Sequence, residues 1–340
     1  MARIVTVVRD GSGNLANILW DVDEAGKISR LGEARAGEIS LVAAVPIGGG
    51  QFVTAVRDGS GDLANILWDV DEAGNVKRQG EARAGAISLV SAVFVFPRRF
   101  VTAVRDGSGN LANIVWSGSE AGGIMRGDEA RAGEISLVSA VHMGGVGPLV
   151  TAVRDGDGNL ANIAWSIDAG GNIRRQGEAR AGEVSLVSAI APGPRQLVTA
   201  VRDGSGNLAN IAWSVNSEGN IIRQGEARAG DISLVAAVSL GRPGGQFVTA
   251  VRDGDGNLAN IAWSVNSVGN ITRQGEARAG DISLVSAVPI GSGRFVTAVR
   301  DGSGNLANIA WSVDNAGNIR RLGEARAGDI SLVAAVSLLV

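Results

Sequence analysis

The sequence predicts an all-β protein closed into a ring of similar sheets, and three observations predict it. First, one stretch, residues 247–285 in its clearest form, is written seven times with small changes. Its Arg-Asp-Gly begins at Arg9, Arg57, Arg105, Arg154, Arg202, Arg252 and Arg300, at spacings of 48, 48, 49, 48, 50 and 48 residues. A fixed period in this range marks a solenoid, an array or a propeller. Second, each copy carries one tryptophan (Trp20, Trp68, Trp116, Trp165, Trp213, Trp263, Trp311), and the 340-residue chain has no others. Third, no copy shows a helical period; short β-branched runs alternate with Asp-Gly, Asn and Gly clusters. Four antiparallel strands per copy, seven times over, describe a seven-bladed β-propeller.

Within residues 231–280 the elements follow in order. A first strand at 231–238 is apolar and β-branched, and the loop 239–245 breaks it. A second strand, 246–252, turns at 253–257 into a third, 258–265; a turn at 266–269 leads to a polar fourth strand from 270 to about 279, which contains Gly275. In the third strand of the fifth copy, Ala209, Ile211, Trp213 and Val215 share one side, and Leu208, Asn210, Ala212 and Ser214 the other. A blade is covered on both faces, so a large face must meet a small one at close packing. Each tryptophan is therefore read as a packing element between blades. The chain opens on a second strand (4–9) and ends on a first strand (329–336), so the C-terminal strand completes the first blade, three strands plus one, and leaves no unpaired edge. The blades run 329–340 with 1–37, then 38–85, 86–133, 134–182, 183–230, 231–280 and 281–328, within one domain, 1–340.

Composition narrows the partners. There are 31 basic and 34 acidic residues, a net charge of −3, and the signs are matched inside every copy, which excludes a nucleic-acid footprint. Only Lys27 and Lys77 are lysines. That skew towards arginine suits fixed, bidentate pairing with carboxylates. No cysteine is present, which excludes disulfides and thiolate metal sites. The longest apolar stretch, 89–96 with Ser91 inside it, is too short to cross a bilayer. No signal peptide precedes the first strand, so the expected state is a cytoplasmic monomer without membrane contact.

The third strand of the first two copies reads Ile-Leu-Trp-Asp-Val, at 18–22 and 66–70. This ending, with the strand order around it, resembles the WD40 repeat. The copies depart from that pattern in their longer period, in lacking Gly-His before the first strand, and in carrying Ser for Asp five times. The core Val-Thr-Ala-Val-Arg-Asp-Gly-Ser-Gly-Asn-Leu, 101–111, is similar to that of bacterial propellers with nearly identical, recently amplified repeats. The resemblance implies the propeller fold for the whole chain and transfers no site residues.

Alternate loops of a meander emerge on opposite faces. The Arg-Asp-Gly turns and the Gly-Glu-Ala-Arg-Ala-Gly connections share one face and barely vary. The other face carries loops that differ in every copy, such as 46–50, 94–99, 142–148 and 191–195. The uniform face supplies the candidate binding residues: Arg57, Asp58, Glu81, Arg83, Arg202, Asp203, Glu226, Arg228, Asp231, Arg252, Asp253, Glu276 and Arg278. The competing reading is that these groups pair with one another and hold the turns. Glu38, Glu134, Glu183, Asp231, Asp281 and Asp329, interrupted by Ala86, start the innermost strands and would ring the channel mouth. Phe94 and Phe96 form the one strongly apolar loop, a candidate contact for an asymmetric partner.

Chemistry has little to work with. The single histidine, His142, sits in a variable loop, and no Ser-His-Asp set, His-rich metal site or P-loop is present. The turns 155–159 and 253–257 (Asp-Gly-Asp-Gly-Asn) look like half a calcium loop, but position six is Leu and no acid follows at position twelve. A plain hairpin turn is the better reading. The sequence thus predicts no enzyme, metal or cofactor. Three functions remain, in this order: a non-enzymatic protein-interaction platform; a multivalent glycan-binding lectin with one site per blade; and an amplified scaffold without a defined ligand.

Overall fold

A computed structural model describes residues 1–96, 98–119, 122–145 and 147–338, with Phe96 described by its backbone alone. It contains 21 strands and no helix among the described residues, three strands from each repeat. The first repeat gives β1 (Ala2–Asp10), β2 (Asn14–Val22) and β3 (Ile28–Gly48); the second gives β4 (Gln51–Asp58), β5 (Asp62–Val70) and β6 (Val76–Phe96). The third and fourth give β7 (Arg99–Asp106), β8 (Asn110–Gly118), β9 (Ile124–His142), β10 (Leu149–Asp155), β11 (Asn159–Ile167) and β12 (Ile173–Gly193). The fifth and sixth give β13 (Gln196–Asp203), β14 (Asn207–Val215), β15 (Ile221–Ser239), β16 (Gln246–Asp253), β17 (Asn257–Val265) and β18 (Ile271–Gly291). The seventh gives β19 (Arg294–Asp301), β20 (Asn305–Val313) and β21 (Ile319–Ser337).

All pairings are antiparallel, and the ring is closed. The sequence predicts separate fourth and first strands, but each such pair is one continuous strand. In β18, Ile271–Asp281 pairs with β17, while Ile282–Gly291 pairs with β19. The reason lies in the connection Gly-Glu-Ala-Arg-Ala-Gly-Asp, which has no proline and no residue that must reverse the chain. Gly280 keeps an ordinary φ, and a Cβ there would meet nothing within 4 Å. The hairpin turns behave differently: Gly256 sits at φ +91°, a left-handed conformation that glycine tolerates and L-residues resist. The ends meet when β1 pairs with β21, from Ile4 opposite Ser337 to Asp10 opposite Ile330.

The core lies between consecutive repeats. Trp213 packs with Ala209, Ile211 and Val215 of its own repeat against Val150, Ala152, Leu160 and Ala164 of the fourth. All seven tryptophans are buried, and each indole N–H donates to a threonine one strand over, as Trp213 does to Thr199 Oγ1 at 2.9 Å. In four repeats a phenylalanine stacks on the tryptophan, for example Phe247 on Trp263 with centroids 6.4 Å apart. The opposite face of the third strand carries an asparagine in every repeat (Asn17, Asn65, Asn113, Asn162, Asn210, Asn260 and Asn308), each fully buried. Close approach between repeats is set by glycine: a Cβ on Gly275 would lie 2.4 Å from the carbonyl oxygen of Gly317.

Candidate functional site: an acidic cleft in three successive repeats

Three elements build the cleft, seen most fully in the sixth repeat. The middle of β15, where it passes from pairing with β14 to pairing with β16, brings in Ala229, Gly230 and Asp231; the turn between β16 and β17 brings in Asp253 and Asp255; and the first half of β18 brings in Arg273, Glu276 and Arg278. Its floor is aliphatic, from Ile232, Val251, Ala259 and Ile261, and its volume is about 340 Å³. The same cleft recurs in the fourth repeat at about 230 Å³ and in the fifth at about 340 Å³, with equivalent residues. The two larger volumes fall at the lower end of small-molecule sites, roughly 300–1,000 Å³, and that of the fourth repeat lies below it.

A strand irregularity assembles the charges. Arg273 pairs opposite Trp263 and Gly275 opposite Ala262, so Gln274 is an extra, bulged residue. Strict alternation would put Arg273 and Glu276 on opposite faces; the bulge puts Arg273, Glu276 and Arg278 on one. Glu276 then accepts hydrogen bonds from both arginines, from Arg278 Nε at 2.7 Å, and Arg278 Nη1 lies 3.3 Å from Asp253 Oδ2. The hydrogen bond and charge of Glu276, then the charge of Asp253, raise the Arg278 pKa and hold the guanidinium ionised. Arg278 is exposed, so water screens these pairs and they contribute little stability. Two arginines meet four carboxylates in the sixth-repeat cleft and three in the fifth, which leaves both net negative.

The candidate residues divide into two groups. Asp203, Glu226 and Arg228 line the fifth-repeat cleft, and Asp231, Asp253, Glu276 and Arg278 the sixth. In the second repeat Arg83 joins Glu81 to Asp58, 2.7 Å from Asp58 Oδ2. Arg57, Arg202 and Arg252 turn elsewhere and bridge consecutive repeats. Arg252 Nε donates to Ile282 O at 2.6 Å and its Nη1 to Ser233 Oγ at 3.1 Å; Arg202 and Arg57 do the same to Ile232 O and Ile87 O. The acids of the innermost strands are exposed and only loosely paired, Asp281 standing 3.8 Å from Arg252. The Asp-Gly-Asp-Gly-Asn turn spends Asp253 Oδ1 on the backbone N–H groups of Asp255 and Asn257, at 3.0 and 2.9 Å, as an Asx turn does. Sequence reasoning missed Arg273 and its counterparts Arg175 and Arg223, because only the bulge brings them to the cleft.

The variable face is less regular. Phe94 is 39% exposed, one of few large apolar side chains open to solvent among the described residues; the side chain of Phe96 and all of Pro97 lie outside them. A cavity of about 880 Å³ opens between the loops 191–196 and 239–245. A smaller one holds His142, whose pKa burial pushes below its ordinary value of 6.5. A depressed histidine stabilises the fold fully above the unfolded pKa, and that stability is lost as pH falls through 6.5 towards the folded value. His142→Gln should therefore shrink the drop in urea midpoint between about pH 7.5 and about pH 5.5. An equal drop in both proteins would show that His142 carries none of it.

No family model matches the chain, and no curated protein matches it significantly. Solved structures do. The periplasmic gluconolactonase PpgL of Pseudomonas aeruginosa is 14% identical, with a TM-score of 0.70 over 99% of this chain and 100% of that one. A protein from Lactobacillus plantarum is 12% identical, with a TM-score of 0.69 over the whole of both chains. The Aleuria aurantia lectin, described as a six-bladed β-propeller with a novel fucose recognition mode, is 15% identical, with a TM-score of 0.57 over 86% of this chain and 97% of that one. These likenesses define a closed all-β ring of the propeller kind.

One expectation is corrected here. The sequence predicts no enzyme, and the full-length likeness to a gluconolactonase overturns that exclusion. The exclusion rested on contiguous motifs such as P-loops and catalytic triads. A ring can gather reacting groups from strands far apart in sequence, and a motif search does not see such a set.

Proposed function

We propose that the chain is a seven-bladed propeller that binds neutral sugars, with one site per blade in the acidic cleft. Three strands per repeat, with each long strand divided between two partners, support the count of seven four-stranded blades, and the β1–β21 pairing supports closure by three strands plus one. The blade boundaries read from the sequence are each moved on by one residue in this proposal, because Asp281 pairs with Asn257 of the sixth repeat and Ile282 opens the pairing with β19. The observation that carries the binding reading is the recurrence of one cleft, aliphatic below and rimmed by oriented donors and acceptors. An aliphatic floor suits the C–H face of a sugar and the rim its hydroxyls. The net negative charge disfavours sialic and uronic acids. The fucose-binding lectin among the structural neighbours agrees with this class of ligand.

The sequence ranks a protein-docking platform first; the order is reversed because the repeated cleft is small, concave and charge-lined. Buried tryptophan removes the aromatic sugar platform, so each site is weak and the ring gains by multivalency, about 10²–10⁴-fold. A glycan array should light up with neutral sugars and stay dark with acidic ones. Replacing Arg35, Arg83, Arg131, Arg180, Arg228, Arg278 and Arg326 together by Ala should abolish that binding. Because these arginines are exposed, the melting temperature should shift only slightly. A dark array for neutral sugars sinks the proposal, as does binding that survives the substitutions.

A further inference from the structure

The seven buried asparagines pose a separate problem. Each is fully enclosed between two repeats, and among the described residues neither its Nδ2 nor its Oδ1 has a hydrogen-bond partner. Buried polar groups are almost always paired, because an unmade hydrogen bond costs the full desolvation of the group. Seven orphaned amides would together cost more than the net stability typical of a folded domain.

The surroundings show what could pair with them. Asn210 stands in register with Ala200 on one side and Ala227 on the other. The same alanine flanks recur in every repeat but the first, where Val7 replaces one of them. Neither neighbour in the sheet has a polar side chain to offer the amide. By strand alternation Asn210 shares its face with Leu208 and Ala212, which pack against Phe247 and Trp263 of the next repeat. On that opposing face Thr249 accepts the indole N–H of Trp263, and its own hydroxyl proton remains to be donated. Each interface thus holds, on one face, an amide with a donor and an acceptor to spare and, on the opposing face, a hydroxyl with a proton to spare.

We infer that each interface between repeats is a binding site for an internal water molecule, held by the asparagine amide and within reach of the threonine hydroxyl. A water supplies both the acceptor the Nδ2 group needs and the donor the Oδ1 atom needs, and buried waters make about three such bonds. The role of the asparagine is then to carry one ordered solvent molecule into each apolar interface. The inference is independent of the sugar clefts, since these amides have no access to the surface.

A crystal structure at high resolution tests it directly. The expected result is a density peak within about 3 Å of the amide of Asn210 and its counterparts. Asn210→Leu should remove the peak from the fifth repeat alone and leave the other six. In solution, oxygen-17 relaxation dispersion should count one fewer long-lived water in that variant. Side chains found bonded directly to protein atoms, or interfaces that prove dry, overturn the inference.

Discussion

Removing residues from Asp329 onward should leave a chain that no longer unfolds cooperatively. The lost segment supplies every partner of β1 on that side, from Ile330 opposite Asp10 to Ser337 opposite Ile4. It also removes the buried side chains Ile330, Val336 and Leu338. At about 1.5–3 kcal/mol each, these three alone account for roughly 5–9 kcal/mol, comparable with the whole net stability of a typical domain. The exposed edge of β1 would be a template for aggregation. Calorimetry of the truncated chain reads the outcome, and a transition within a few degrees of the intact protein would contradict it. A rescue is available, because residues 231–239 and 329–337 are identical in sequence. A peptide of that sequence added to the truncated chain should restore the transition.

Trp213→Ala should cost about 3–5 kcal/mol, the range for deleting a large buried aromatic. The side chain is fully enclosed by the fourth and fifth repeats, and little around it can collapse into the space, since the strands on both sides are fixed in register. Trp213→Phe separates the contributions. It keeps most of the bulk and loses the 2.9 Å bond to Thr199, so about 1 kcal/mol should go with the hydrogen bond. Trp263→Ala should cost somewhat more than Trp213→Ala, because Phe247 stacks on Trp263 where Leu197 stands opposite Trp213. Urea midpoints give all three values. A loss below about 1 kcal/mol for Trp213→Ala would show that the tryptophan is not the packing element described.

The repeats, the hairpin turns and the two faces of the third strand were legible in the sequence, because each rests on local chemistry. Asp253 and Gly256 announce their turn, and Ala209, Ile211, Trp213 and Val215 announce a buried face. The joining of fourth and first strands was not legible: Gly280 looks like a breaker, and nothing local shows that its backbone stays extended. Much of the charged rim of the cleft was visible as Asp231, Asp253, Glu276 and Arg278. Arg273 was hidden because a bulge is a property of two paired strands, and the one at Gln274 cannot be read from one of them. Pairing by charge suggests that Arg252 joins the acids of the uniform face, whereas its hydrogen bonds go to a backbone carbonyl and a serine, Ile282 O and Ser233 Oγ, and its one acid, Asp281, stands 3.8 Å off.

The seam between β1 and β21 has a mechanical side. Ile4 lies opposite Ser337, so the two chain ends leave the pair at the same end. A pull on those ends meets the ladder one rung after another and never loads all its bonds together. Bonds that resist jointly in shear yield singly in peeling. The joint that completes the ring against heat is therefore its easiest place to open by force.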